Sequence, residues 1–251
     1  MTTPLPSEPS RAVLSLSNRR HRSSDEEARQ PHGLDSSQSN TKVNALAIQQ
    51  IVSAFKPEFG RVQILENLII PMYGSSAVPT ARFDVALVCE AGVYLFEVKS
   101  WRNAVVYRKI PDRAPPRWFL RLHGSSLARE VKDPTWQCGR KTTHLRSLLP
   151  PDLRVQYFVI LPFEGVELEG VMPSTVVTPQ DLPYIARVAR SNGRSEQCFT
   201  LLDQPAIDRT LQLLTDLQGE LTLDEHIRNT REKSAGAAAT RTRHPGILKL
   251  Q

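Results

Sequence analysis

Cysteine is scarce in this chain: three residues, Cys89, Cys138 and Cys198, occur in 251. They are odd in number and share no metal-ligand spacing. This argues against a disulfide framework or a structural zinc site and for inert thiols in a reducing, cytoplasmic setting. Aromatic residues make up 6% of the chain against 19 prolines, so a good part of it is expected to be irregular. No apolar run approaches the roughly 18–20 residues needed to cross a bilayer, so no membrane partner is expected. The N-terminal stretch has no apolar h-region and does not read as a Sec signal. Gly124-Ser125-Ser126 is followed by no Gly-Lys-Ser/Thr step, which excludes a Walker-type phosphate loop. His123 and His144 stand in no spacing that suggests zinc.

What is present is a hydrophobic fraction of 40%, enough for a real core. Residues 1–42 are rich in Ser, Pro, Arg, Gln and Glu; they bury too little to offset ordering entropy and are expected to be disordered. Apolar residues at 43, 47, 48, 51, 52 and 55 predict an amphipathic helix, ended by Lys56-Pro57-Glu58. Val62 to Ile70 reads as a strand, and 82–89 and 92–99 as a hairpin turning at Glu90-Ala91-Gly92. Strands are expected at 103–109 and 117–122. Asp133-Pro134 then supplies an N-cap and a first-turn proline for a helix running to about Leu149. A strand at 155–161, a short one at 175–178 and helices at 180–190 and 204–217 complete the pattern. Its order predicts an α/β fold, one central mixed sheet flanked by helices, spanning 43–223 between tails at 1–42 and 224–251.

The chemistry concentrates in the hairpin. Glu97 and Lys99 are two apart on an apolar strand, so period-2 geometry puts them on one face. Asp84 lies in the preceding apolar run, and the tight turn carries it back beside them. Two carboxylates and an ammonium on interior strands are costly to bury unless a cation or a substrate phosphate uses them. Mg²⁺ takes one or two protein carboxylates plus a phosphate, and Mn²⁺ is an alternative. An exposed strand with a cross-strand ion pair is the plainer reading. Two features count against it: the intervening positions are apolar, and the charges gather at one end. Charge is uneven as well: residues 100–147 hold eleven Lys or Arg against three acids, and residues 148–223 hold five against ten. A basic segment just after the acidic cluster suits an approaching polyanion, DNA with RNA not excluded, and Arg102, Arg140 and Lys141 are candidates for phosphate contact. Trp118 and Trp136 could stack on bases, although core packing is the better assignment for at least one of them.

Phe83-Asp84-Val85-Ala86-Leu87-Val88, Gly92-Val93-Tyr94-Leu95-Phe96-Glu97-Val98-Lys99 with Trp101 after it, and Asp133-Pro134-x-x-Gln137 resemble, in that order, the core of the nuclease-related domain (NERD). That family is similar to the PD-(D/E)xK restriction-endonuclease-like fold, and the likeness spans roughly 43–161. It implies a metal-dependent nuclease, with Asp84, Glu97 and Val98 at the metal, Lys99 as catalytic lysine and Gln137 over the site. One departure stands out. The family's first helix usually carries a Gly-Glu pair, but 43–55 contains no acid and Asn44 is the nearest match. This leaves open a one-metal enzyme, an altered substrate, or an inactive module that binds nucleic acid or a protein partner.

Overall fold

Val43, Ala47, Ile51, Phe55 and Phe59 recur every four residues and form one fully buried stripe of helix α1 (Ser36–Phe59). The structure is a computed structural model that describes residues 36–72, 80–194 and 201–231. The disorder expected over 1–42 lies outside the described residues as far as 35, and α1 starts at Ser36. The expected stop at Lys56-Pro57-Glu58 is passed, and the helix runs to Phe59, one turn beyond Phe55. A proline so close to the end removes only one late hydrogen bond, and Phe59 gains a ring contact with Phe55, centroids 6.1 Å apart. Gly60, at φ 64, then turns the chain.

The strands β1 (Gln63–Pro71), β2 (Thr80–Cys89), β3 (Gly92–Val98), β7 (Val155–Ile160) and β9 (Val176–Val177) form one sheet in the order β1-β2-β3-β7-β9. The first three pair antiparallel; β3–β7 and β7–β9 pair parallel, so the sheet is mixed as expected. One face packs against α1 and α3 (Leu182–Arg194), through Ile51, Phe55, Leu87, Phe96 and Ala186. The other packs against α2 (Pro134–Leu148) and α4 (Gln204–Gln218), through Leu95, Val155, Leu145 and Leu214. Residues 223–231 are helical (α5), although the sequence assigns 224 onward to the tail; the tail from 232 onward lies outside the described residues.

The strands expected at 103–109 and 117–122 form, but in a sheet of their own. β4 (Ala104–Lys109) and β5 (Arg117–Leu122) combine with β6 (Ala128–Val131) and β8 (Val166–Glu169) in the order β6-β5-β4-β8. Asn103, at φ 49, sits at the point where the chain leaves the main sheet. The inner face of the second sheet, with Val106, Trp118 and Leu120, packs on Cys138 of α2 and on Val159 and Leu161. Cys89 and Cys138 are buried, and burial pushes both thiols up to about 12, so neither is a nucleophile; Cys198 lies outside the described residues.

Two local devices set the strands beside Asp84. Gly92 closes the hairpin at φ 112, where a Cβ would run into the Arg154 carbonyl that accepts from Val93 N–H at 2.9 Å. Asn67 is the second. The β1–β2 ladder holds one register from Gln63–Val88 to Pro71–Thr80 but skips the step that would join Asn67 to Asp84. Asn67 has φ 52, a conformation that Asn tolerates better than other side-chain-bearing residues. On either side of this step the faces exchange: Ala86, Val88 and Phe83 all join the core under α2 and α4, although strict alternation would put Phe83 on the opposite side. We expect Asn67→Gly to melt close to the parent. Asn67→Val should cost about 1–2 kcal/mol, a fall of roughly 2–8 °C in Tm for a domain of this size. A valine variant as stable as the parent would remove Asn67 as the cause of the turnover.

Candidate active site

Asp84 lies one step beyond the last β2–β3 ladder pair, Val85–Phe96, so the same register sets it opposite Glu97. From there the strands part: β3 continues along β7, with Glu97 opposite Val159, while β2 stays paired with β1. The Val98 N–H, with no β2 carbonyl to meet, donates to Asp84 Oδ2 at 2.8 Å. Asp84 Oδ1 accepts from Arg82 Nη2 at 2.7 Å, and Asp84 is only 4% exposed. Glu97 Oε1 accepts from Lys99 Nζ at 2.9 Å and Oε2 from Lys141 Nζ at 2.6 Å. Lys141 also donates to the Arg82 carbonyl at 2.6 Å and stands 5.2 Å from the Phe83 ring centre. One ammonium thus ties α2 to β2 and β3 at once.

Removing an ion from water costs several kcal/mol even after relaxation. A single close pair returns about 4 kcal/mol at 4 Å and an effective dielectric of 20. One partner per carboxylate therefore does little more than break even, and two buried carboxylates here draw three cations. Burial and the neighbouring Glu97 charge raise the Asp84 carboxyl above its ordinary 3.8, outweighing Arg82, the Val98 N–H and Lys141. Burial also pushes Glu97 upward, but Lys141 and then Lys99 override it and bring its carboxyl down to about 2.

A cleft of about 260 Å³ opens over this cluster, with Glu97, Trp136, Gln137, Arg140, Lys141 and His226 among its lining residues. The Asp133 cap starts α2 as the sequence predicts, its Oδ1 accepting from the N–H groups of Thr135 at 2.8 Å and Trp136 at 3.1 Å. Gln137, three residues into the helix, is exposed in the cleft beside Glu97. Of the phosphate candidates, Arg140 lines the cleft with its guanidinium 5.0 Å from the Trp136 ring centre. Lys141 is drawn into the carboxylates, its side chain only 12% exposed. Arg102 rests on Phe163 at 3.8 Å and does not line the cleft. Much of the basic segment is spent elsewhere: Arg117 pairs with Glu130, Arg121 with Glu169 at 3.4 Å, and Arg108 donates to the Val171 carbonyl. Of the two candidate stacking residues, Trp118 is core at 1% exposure and Trp136 is 62% exposed.

Sequence reasoning missed Arg82, His226 and Thr80. Arg82 carries a signal, the same period-2 relation to Asp84 that links Glu97 to Lys99. His226 Nδ1 and Thr80 Oγ1, 2.8 Å apart, bring α5 to the cleft across 146 residues, and no local pattern encodes that. Asn44 is half-buried on α1, and among the described residues none of the hydrogen bonds of the carboxylate cluster involves it.

The elements and the cluster together define an α/β protein with a carboxylate–lysine site where a hairpin splits from its sheet. Residues 44–162, just under half of the 251, match the family model for the nuclease-related domain (NERD). The match points to a nuclease-related function. No curated protein and no solved structure matches the chain significantly.

The Glu97 pair sets a measurable pH dependence. A carboxyl depressed in the folded state stabilises it fully above the ordinary value of 4.5, and that contribution is lost as pH falls toward about 2. Asp84 acts with the opposite sign, since its raised value makes ionisation unfavourable to folding at neutral pH. Lys141→Met should lower stability at pH 7 by about 1–3 kcal/mol and shift the acid loss to higher pH. Lys141→Met/Glu97→Gln should recover most of the neutral-pH loss. An unchanged acid limb in the single variant, measured by urea unfolding across pH, would show that Lys141 does not hold Glu97 ionised.

Proposed function

We propose that the protein is a Mg²⁺-dependent phosphodiesterase that hydrolyses DNA, with Mn²⁺ as an alternative ion. The observation that carries this reading is the pair of carboxylates, Asp84 buried and Glu97 with its side chain 12% exposed, with Lys99 2.9 Å from Glu97, within the stretch that matches the nuclease-related domain. The donor set fits a hard divalent cation: it consists of oxygens alone, two carboxylates with the Val98 carbonyl between Glu97 and Lys99 in sequence. It does not fit zinc, since no group of three or more His, Cys, Asp or Glu able to hold a metal exists among the described residues. When bound, the ion lowers the pKa of a water and stabilises charge on the phosphate oxygens. Asp84 and Glu97 would hold it.

The chain's own groups do the rest. Lys99, 2.9 Å from Glu97, orients the attacking water and opposes the negative charge that builds on the phosphate. Gln137 hydrogen-bonds substrate or that water. Arg82, Arg140 and Lys141, all lining the cleft, meet phosphate oxygens. Water adds to phosphorus in line, the bond to the 3′-oxygen breaks, and a 5′-phosphate is left. Purified protein with Mg²⁺ or Mn²⁺ should nick or degrade linear, circular or single-stranded DNA and do nothing in EDTA, with RNA run alongside. Glu97→Ala and Lys99→Ala should each slow cleavage at least about a hundredfold without unfolding the chain. Full activity in both variants would refute the assignment.

A non-catalytic nucleic-acid-binding or protein-interaction module is the second reading. Arg82, Lys99 and Lys141 already neutralise both carboxylates, and 43–55 has no acid. It requires DNA affinity indifferent to Mg²⁺ and no cleavage with any metal.

A further inference from the structure

The cleft contains an aromatic surface that hydrolysis itself does not use. Trp136 sits in the first turn of α2, pinned by its N–H to the Asp133 cap. The buried face of this helix is Pro134, Cys138, Thr142 and Leu145, so the indole falls on the outer face and stays 62% exposed. Exposed tryptophan is uncommon because the ring has much to gain from burial. Arg140, one turn on, places its guanidinium 5.0 Å from the ring centre. This is the spacing of a cation–π contact, which leaves the opposite ring face for a ligand.

Across the cleft stand His226 and Thr230 of α5, with His226 bonded to Thr80. The half-open cleft, about 260 Å³ in volume, suits one nucleotide-sized group; it is below the roughly 300–1,000 Å³ of drug-sized pockets. Glu97 and Lys141, the end where a phosphate would react, line the same cleft. A base pair inside a duplex has both π-faces covered by its neighbours and offers none to an indole. An unpaired nucleotide offers one, and stacking on an aromatic side chain beside a cation is how single strands are held without reading their sequence.

We infer that the cleft binds single-stranded DNA, with the base next to the scissile phosphate stacked on Trp136 and Arg140 carrying the adjoining backbone charge. This builds on the nuclease reading, because that reading supplies the position of the phosphate; the stacking itself can be measured without cleavage. Titrating the full-length protein in EDTA with a mixed-sequence 12-nucleotide strand, and separately with the same sequence closed into a hairpin duplex, should quench tryptophan emission with the strand only. Trp136→Ala should abolish the quench and weaken strand binding by roughly 5- to 150-fold, the value of one base–aromatic stack. Trp136→Phe, read by anisotropy of a labelled strand, should retain most of the affinity, and duplex binding should be unchanged in both variants.

Equal loss for strand and duplex in Trp136→Ala, or no loss for either, would overturn the inference. So would metal-dependent cleavage confined to duplex DNA, which would leave the nuclease reading standing. Strand-selective quenching without cleavage under any metal would uphold the stacking site and remove the nuclease instead.

Discussion

Two carboxylates buried side by side must be answered by positive charge, and most of this architecture follows from how that demand is met. Asp84 and Glu97 face each other where β2 leaves β3, a place created by a break in two ladders at once. The β2–β3 pairing ends at Val85–Phe96, and the β1–β2 pairing skips Asn67 opposite Asp84. A regular sheet would put a hydrogen-bonded backbone where the Asp84 carboxylate now accepts the Val98 N–H. The irregularity is thus what lets a charged group enter an apolar sheet with its hydrogen bonds satisfied.

Helix α2 brings the third cation, and the second sheet keeps α2 in position. Lys141 reaches Glu97 and the Arg82 carbonyl only if the helix lies close over β3 and β7. Gly139 permits that approach, because a Cβ there would come within 3.2 Å of the Tyr157 hydroxyl. From the other side Cys138 is packed by Trp118, Leu120 and Val106. The β6-β5-β4-β8 sheet therefore acts as a buttress for the helix segment that carries Trp136, Gln137, Arg140 and Lys141. β8 also brings Glu169 to Arg121, which consumes basic charge that looks free along the chain.

The parts legible in the sequence are those with local physical causes. The Asp133-Pro134 start of α2, the hairpin closing at Gly92 and the gathering of Asp84, Glu97 and Lys99 follow from capping chemistry, turn chemistry and the two-residue period of a strand. The family likeness over roughly residues 43–161 adds the expectation of a nuclease-related fold. What could not be read depends on chain segments far apart. One central sheet was expected because β6 and β8 are only four residues each and charged, too short to mark β4 and β5 as belonging elsewhere. Lys141 read as a surface contact for phosphate because its i+44 relation to Glu97 is tertiary. The left-handed Asn67 is invisible for a related reason: asparagine permits that conformation without requiring it.

On the proposed reading, the charge count of the site bears on the missing acid of the first helix. Asp84 and Glu97 supply two negative charges; Arg82, Lys99 and Lys141 supply three positive ones, so the cluster carries a net positive charge before any ion or substrate arrives. A second divalent ion would add to that excess, and Asn44, being neutral, contributes nothing to offset it. Even one divalent ion adds to that excess and depends on the incoming phosphate for balance; the side chains already provide the cationic charge that a second ion would bring to the phosphate. The same excess favours an anionic ligand in the cleft even without metal. Phosphate affinity and metal affinity are then separable properties of this site: the first rests on Arg82, Arg140 and Lys141, the second on Asp84 and Glu97. The absence of an acid from residues 43–55 weakens only the second.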